Sequence, residues 1–176
     1  MADFDKFFPK LLAHEGGFVN DPDDPGGATN KGITMKTFRS VSRPLLGIEP
    51  TLENLKALTD DQVKIIYKKE YWDKIRGDEI SLQDLADIVF DFYVNAGSKA
   101  SELLQITLNL LGSSLKIDGA IGKNTLYTLR CTDQLNVYRR YKQGRIEYYR
   151  KLVARNPRLR KFLNGWMNRV NSFPDL

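Results

Sequence analysis

His14-Glu15-Gly16-Gly17-Phe18-Val19-Asn20-Asp21-Pro22-Asp23-Asp24-Pro25-Gly26-Gly27-Ala28-Thr29-Asn30-Lys31-Gly32-Ile33-Thr34 gathers carboxylates, glycines and prolines directly behind an apolar helical pattern. Ahead of it, Phe4, Phe7, Phe8, Leu11 and Leu12 recur at the spacing of an amphipathic helix. Carried on in phase, Glu15 falls on the apolar side with Phe4, Phe8 and Leu11, and Gly16-Gly17 then ends the helix. The pattern therefore predicts a carboxyl on the inner face of the last helical turn. Desolvation and the negative end of the helix dipole both favour its neutral form there, which is the form a general acid needs. Asp21, Asp23 and Asp24 lie instead in a polar Pro/Gly loop, where water should keep them ionised. An acid in an apolar setting beside a solvated carboxylate is an arrangement that cleaves glycosidic bonds. The plainer reading of the same residues is a helix ending in a polar loop, with Glu15 paired to a lysine.

Glu15-Gly16-Gly17, followed by the Asp-Pro-x-Asp-x-Gly-Gly-x-Thr-Asn-x-Gly-Ile-Thr run ending at Thr34, closely resembles the signature of glycoside hydrolase family 108. These are N-acetylmuramidases of phages and bacteria. The resemblance implies a lysozyme-like α+β fold, predominantly α-helical, with at most a small β-hairpin after the first helix. It implies hydrolysis of the β-1,4 bond between N-acetylmuramic acid and N-acetylglucosamine in peptidoglycan, with Glu15 as the acid. The spacing of Glu15, Asp24 and Thr29 is similar to the acid, base and threonine trio of phage-type lysozymes, although the second gap here is four residues and that pattern usually has five. Asp24 would activate water or support the transition state, Thr29 would orient the water, and Gly26 and Gly27 would let the sugar approach the backbone. Asn30 joins them as a substrate-binding candidate.

The composition excludes much else. With 41% hydrophobic and 11% aromatic residues, the chain has the makings of a globular core. It contains no run of apolar residues long enough to span a membrane. Its first residues lack the basic and apolar regions of a signal peptide. Synthesis in the cytoplasm and release through a holin pore or another export route are therefore expected. A lone cysteine, Cys131, excludes an internal disulfide and reads as a small buried apolar residue. His14, the single histidine, cannot by itself support a His-based metal site or a nucleophilic triad, and reads as structural or cleft-lining. No metal and no cofactor is expected.

Further along, Met35–Val41 and Thr51–Leu55 read as short helices. Thr59 and Gln62 form a capping box that opens a helix to about Ile75, with Val63, Ile66, Tyr67, Tyr71 and Ile75 as its apolar stripe. Tyr71 and Trp72 are candidates to stack on sugar rings, or else to pack in the core. Ser81 and Asp84 suggest another capping box, before a helix from Leu82 to Ala96 that is apolar almost all round. On it, Asp91-x-x-x-Asn95-x-Gly97 resembles a second family signature, which sets Asn95 against the site as a substrate-binding candidate. The other reading has Asp91 and Asn95 holding loops by hydrogen bonds.

Leu103-Leu104-Gln105, Asp118-Gly119 and Gly122-Lys123-Asn124-Thr125 resemble the small helical peptidoglycan-binding modules. The expected organisation is residues 1–97 as the lysozyme-like catalytic part. Residues 98–176 would form a helical part resembling a peptidoglycan-binding module, packed on the first as one unit. Between Arg139 and Arg169, eleven basic residues face one acid, a net +10 in a chain of +5 overall. Two helices with an apolar inner stripe and a positive outer coat would be drawn to peptidoglycan and other wall polyanions. A lytic transglycosylase acting on the same glycan stays open. So does a non-catalytic basic module for nucleic acid or a partner protein, although nucleic acid is not the expected partner.

Overall fold

The structure, a computed structural model, describes residues 1–22 and 27–176. Asp24 and Gly26, both expected at the site, lie outside the described residues. The chain divides into two compact units, residues 4–70 and residues 1–3 with 71–176.

The smaller unit opens with α1 (Phe4–His14), which buries Phe4, Phe7, Phe8 and Leu11 as its apolar phase requires. After the loop, β1 (Thr29–Asn30) and β2 (Ile33–Thr34) pair antiparallel with Asn30 opposite Ile33. The two residues between them, Lys31 and Gly32, both have positive φ, at 50° and 80°. That is the backbone of a type I′ hairpin turn, whose twist matches that of paired strands. Thr34 closes the hairpin and caps α2 (Met35–Val41) by accepting from the Thr37 amide at 3.2 Å. α3 (Leu52–Lys56) and α4 (Asp60–Tyr67) follow, and α4 carries the expected Thr59–Gln62 capping box. The sequence ran this helix on to Ile75; α4 ends at Tyr67, and a π-helical turn at Lys68–Trp72 takes over.

The larger unit is built on α5 (Gln83–Ala96), in which Leu85 through Phe92 are buried without a break. The expected Ser81 cap is absent. The helix starts one residue later, and the Leu82 amide instead donates to the Gln134 side chain at 2.8 Å. Gly97 turns the chain at once into α6 (Ser98–Leu110), with φ 58° and ψ −136°, a backbone that a β-carbon disfavours. α6 ends in a Schellman motif: Gly112 donates to the Asn109 carbonyl at 3.1 Å and Ser113 to Leu108 at 3.2 Å. α7 (Lys123–Arg130), α8 (Gln134–Arg155) and α9 (Arg160–Asn171) complete the unit. Cys131 caps α7 and is exposed, not buried as its neighbours suggested. No helix is long and apolar enough to cross a membrane, among the described residues.

The positive coat of the tail also differs from expectation. Eight of its eleven basic side chains are exposed, while Lys142 and Arg145 are buried and Arg169 is half-buried. Lys142 donates to the Phe173 carbonyl at 2.7 Å and pairs with Asp175 at 2.6 Å. Arg145, with no exposed surface, pairs with Asp91 at 2.7 Å, and Arg169 grips the other oxygen of the same carboxylate at 2.8 Å. The Arg145 guanidinium also lies over the Phe92 ring, 5.0 Å from its centroid. Burial pushes the neighbouring Tyr141 and Tyr149 hydroxyls to titrate above their ordinary range, with Arg145 pulling the other way.

Removing a buried ion's partner strands the other charge. Asp91→Ala is therefore expected to lower stability by about 3–5 kcal/mol, read as a lower urea midpoint at unchanged slope. Arg169→Ala, which leaves Asp91 paired with Arg145, should cost clearly less.

Candidate active site

Glu15 is the residue directly after α1, and its amide still donates to the Leu11 carbonyl at 3.1 Å. The helix therefore aims it, although it stands just beyond the last turn and not within it. Its side chain is half-buried, less enclosed than a full core position would be. His14 beside it is exposed.

The carboxyl lies close against the hairpin turn. A β-carbon placed on Gly32 would fall 2.7 Å from Glu15 Oε2, 3.0 Å from its Cδ and 2.2 Å from the Tyr67 hydroxyl. Gly32 thus meets two demands, a φ of +80° and a flank with no room for a methyl group. The Tyr67 hydroxyl donates to the Lys31 carbonyl in the same turn at 3.1 Å. The Lys31 side chain reaches the other way, donating to the Leu58 carbonyl at 3.0 Å and pairing with Asp60 at 2.6 Å. Asn30, buried, gives its amide hydrogens to the carbonyls of Leu55 at 2.9 Å and Lys56 at 3.2 Å. The turn behind Glu15 is consequently tied to α3, to the start of α4 and to its last residue.

The other expected site residues are placed as follows. Thr29 is half-buried in β1 and exchanges both backbone hydrogen bonds with Val19, at 2.8 and 2.7 Å. That bridge fixes both ends of the segment that carries Asp21 and Asp24. Gly27 has φ +73°, a left-handed conformation that glycine takes freely. Asn30 spends its amide hydrogens inside the fold on α3 and so anchors the hairpin. Trp72 takes the core-packing alternative. It is fully buried, donates to Asp78 at 2.7 Å and packs edge-on against Phe90, leaving no face for stacking. Tyr71 is half-buried and makes an edge contact with Tyr93. Asn95 is exposed and donates to the Asp91 carbonyl one turn back at 2.8 Å. Asp91 is taken up by its two arginines. Tyr71, Trp72 and Asn95 all belong to the larger unit, whereas Glu15, Thr29 and the turn belong to the smaller.

Two features of the site escaped the sequence reading. Tyr67 reads as one more member of an apolar stripe, and Gly32 as one glycine among several. Paired helix-period and hairpin signals held the clue, since a Lys-Gly turn demands something small at its second position.

In the larger unit, buried Gln105 organises the segment that reads as a binding module. Its carbonyl accepts from the amides of Asp118 and Gly119, each at 3.0 Å, and its amide donates to the Asp118 carboxylate at 2.8 Å. That donation, with the Ala120 amide behind it, holds Asp118 below the usual carboxylate range. An open pocket of about 280 Å³ beside this loop is lined by Lys116, Lys123 and Asn124 among others. A second, of about 380 Å³, lies between α6 and α8, with Leu103, Ile106 and Leu110 facing Arg140, Tyr148 and Lys151.

A mostly helical chain with one small hairpin after its first helix, and a glutamate backed against that hairpin, has the lysozyme-like α+β fold. The comparisons agree. The model for glycosyl hydrolase 108 matches residues 8–97, and one described as a predicted peptidoglycan domain matches residues 99–171. The solved structure of SagA from Brucella abortus is similar over 97% of this chain and 90% of its own, at 30% identity and a TM-score of 0.78. No curated protein matches significantly. The protein is a glycoside hydrolase that degrades peptidoglycan. It belongs to glycosyl hydrolase family 108.

The family match ends at residue 97, yet the compact units divide between residues 70 and 71. α5 carries the hydrolase sequence while packing with α6 and α8.

Gly32→Ala tests the turn. The added methyl must displace the Tyr67 hydroxyl or Glu15, so wall clearing, followed as turbidity loss, should fall by about 10²-fold while helical content is retained.

Proposed function

We propose that the protein is an N-acetylmuramidase, cleaving the β-1,4 bond from N-acetylmuramic acid to N-acetylglucosamine with Glu15 as general acid. One observation carries this reading: the Glu15 carboxyl is half-buried and backed by a rigid turn whose glycine leaves no space behind it. A donor held that way keeps its aim while the glycosidic oxygen gains charge. Glu15 protonates the leaving oxygen. Asp24, in the loop whose ends the Val19–Thr29 bridge fixes, supports the oxocarbenium-like transition state or activates water, and Thr29 orients that water.

The larger unit serves attachment. Its exposed arginines and lysines on α8 and α9 attract the carboxylates and other anions of the wall, and the neighbouring match to a peptidoglycan domain supports the same assignment. In this reading the enzyme works as a lysin, reaching the wall by export or through a holin pore.

Glu15→Gln is expected to keep the fold and to abolish clearing of isolated walls; unchanged clearing would end the assignment. Mass spectrometry of the digest fixes the bond and the reaction. Reducing N-acetylmuramic acid ends are expected. Anhydro-muramic ends alone would instead make the enzyme a lytic transglycosylase, and reducing N-acetylglucosamine ends would make it a glucosaminidase.

Wall binding by Glu15→Gln should also weaken steeply as salt rises from about 50 to 200 mM, because surface attraction between exposed charges is screened over that range. Binding that ignores salt would remove the basic helices from the mechanism.

A further inference from the structure

Tyr67 closes α4 in the stripe Val63, Ile66, Tyr67, where a phenylalanine would satisfy the apolar pattern equally well. Its ring packs near Phe8, with centroids 6.1 Å apart, and the residue has no exposed surface. A buried phenol brings a polar group that must be matched inside the fold. Here the hydroxyl proton goes to the Lys31 carbonyl at 3.1 Å. The same oxygen lies 2.2 Å, and Glu15 Oε2 2.7 Å, from the position a Gly32 β-carbon would take. Hydroxyl and carboxyl oxygens therefore both border the space beside the Gly32 Cα, no more than about 5 Å apart.

We propose that Tyr67 is a positioning residue for the proton donor: bound to the Lys31 carbonyl, its hydroxyl holds the hairpin turn and the Glu15 carboxyl in one fixed relation. This rests on Glu15 being the acid. The turn supplies the surface against which the carboxyl lies, and Tyr67 sets the height of that surface from inside the core. Without the hydroxyl, the Lys31 carbonyl loses its partner and the space beside Oε2 opens, so the turn and the carboxyl gain play against each other. The loss belongs to the aim of the proton, not to sugar binding.

Tyr67→Phe keeps the ring and removes one oxygen. On soluble glycan strands of alternating N-acetylmuramic acid and N-acetylglucosamine, kcat should fall about tenfold while KM stays within about twofold. Parallel changes in kcat and KM, or an unchanged kcat, would overturn the proposal. Glu15→Gln measured alongside separates the two claims. If it is inactive while Tyr67→Phe turns over like the wild type, only the positioning role fails; if it is active, the acid assignment fails first. Should Tyr67→Phe not fold, 3-fluorotyrosine at position 67 retains ring and hydroxyl and alters the strength of its hydrogen bond. A change in kcat at constant KM then supports the role, and no change overturns it.

Discussion

The larger unit depends on one carboxylate. Asp91, on α5, is buried at 1% exposure, and it is clasped by Arg145 from α8 and by Arg169 from α9. Its two oxygens are met by Nη2 of Arg145 and by Nε and Nη2 of Arg169, so three helices converge on a single acid. One negative charge facing two guanidiniums leaves a positive excess, and only Arg169 reaches water with part of its side chain. The aromatic faces of Phe92, Tyr149 and Phe173 around Arg145 offset part of it. The Ile88 carbonyl and the Tyr149 hydroxyl take further guanidinium hydrogens. Such a cluster adds little net stability over a well-packed apolar core, but its failure is costly, so it dictates how α8 and α9 meet α5.

In the smaller unit the comparable constraint is backbone geometry. Four consecutive residues, Asn30 to Ile33, carry nearly all of it. Asn30 fastens the hairpin to α3, the Lys31 side chain fastens it near the start of α4, and the Lys31 carbonyl fastens it to Tyr67. Gly32 then leaves room for Glu15. A hairpin with only two residues in each strand would be marginal alone, and these side-chain ties supply what its short ladder cannot. The proposed role of Glu15 draws on that fixed geometry, since a general acid must be held in place while the bond polarises.

How much of this could be read from the chain depends on range. α1, the hairpin after it, the Thr59 cap and the buried run of α5 were legible because each is written in neighbouring residues. The direction of Glu15 was legible for the same reason, in the phase it shares with Phe8 and Leu11, although the helix ends at His14, one residue short of it. The partners of Asp91 were not legible: an aspartate on an apolar helix shows that a partner is needed, but Arg145 and Arg169 are 54 and 78 residues away. The start of α5 failed likewise, since Gln134, which receives its Leu82 amide, lies 52 residues on. The burial of Asn30 and Trp72 was not legible, because a motif match and an aromatic side chain carry no mark of it. Tyr67 was hidden by its own ring, which fits the stripe whether or not the hydroxyl has work to do.

The boundary between the two matched segments has a consequence for how the enzyme folds. Sequence similarity changes hands between residues 97 and 99, at Gly97. Packing does not, because α5 and α6 on either side of that corner lie against one another and both against α8. A fragment ending at residue 97 would keep α5 but lose Arg145 and Arg169, leaving Asp91 unpaired and Ile88, Val89, Phe90 and Phe92 uncovered. A fragment starting at residue 98 would hold Arg145 without its carboxylate. Neither piece retains a satisfied interior around α5, so this last helix of the hydrolase segment folds with the helices of the peptidoglycan segment. α5 therefore belongs to the hydrolase segment by sequence and to the peptidoglycan segment by contact.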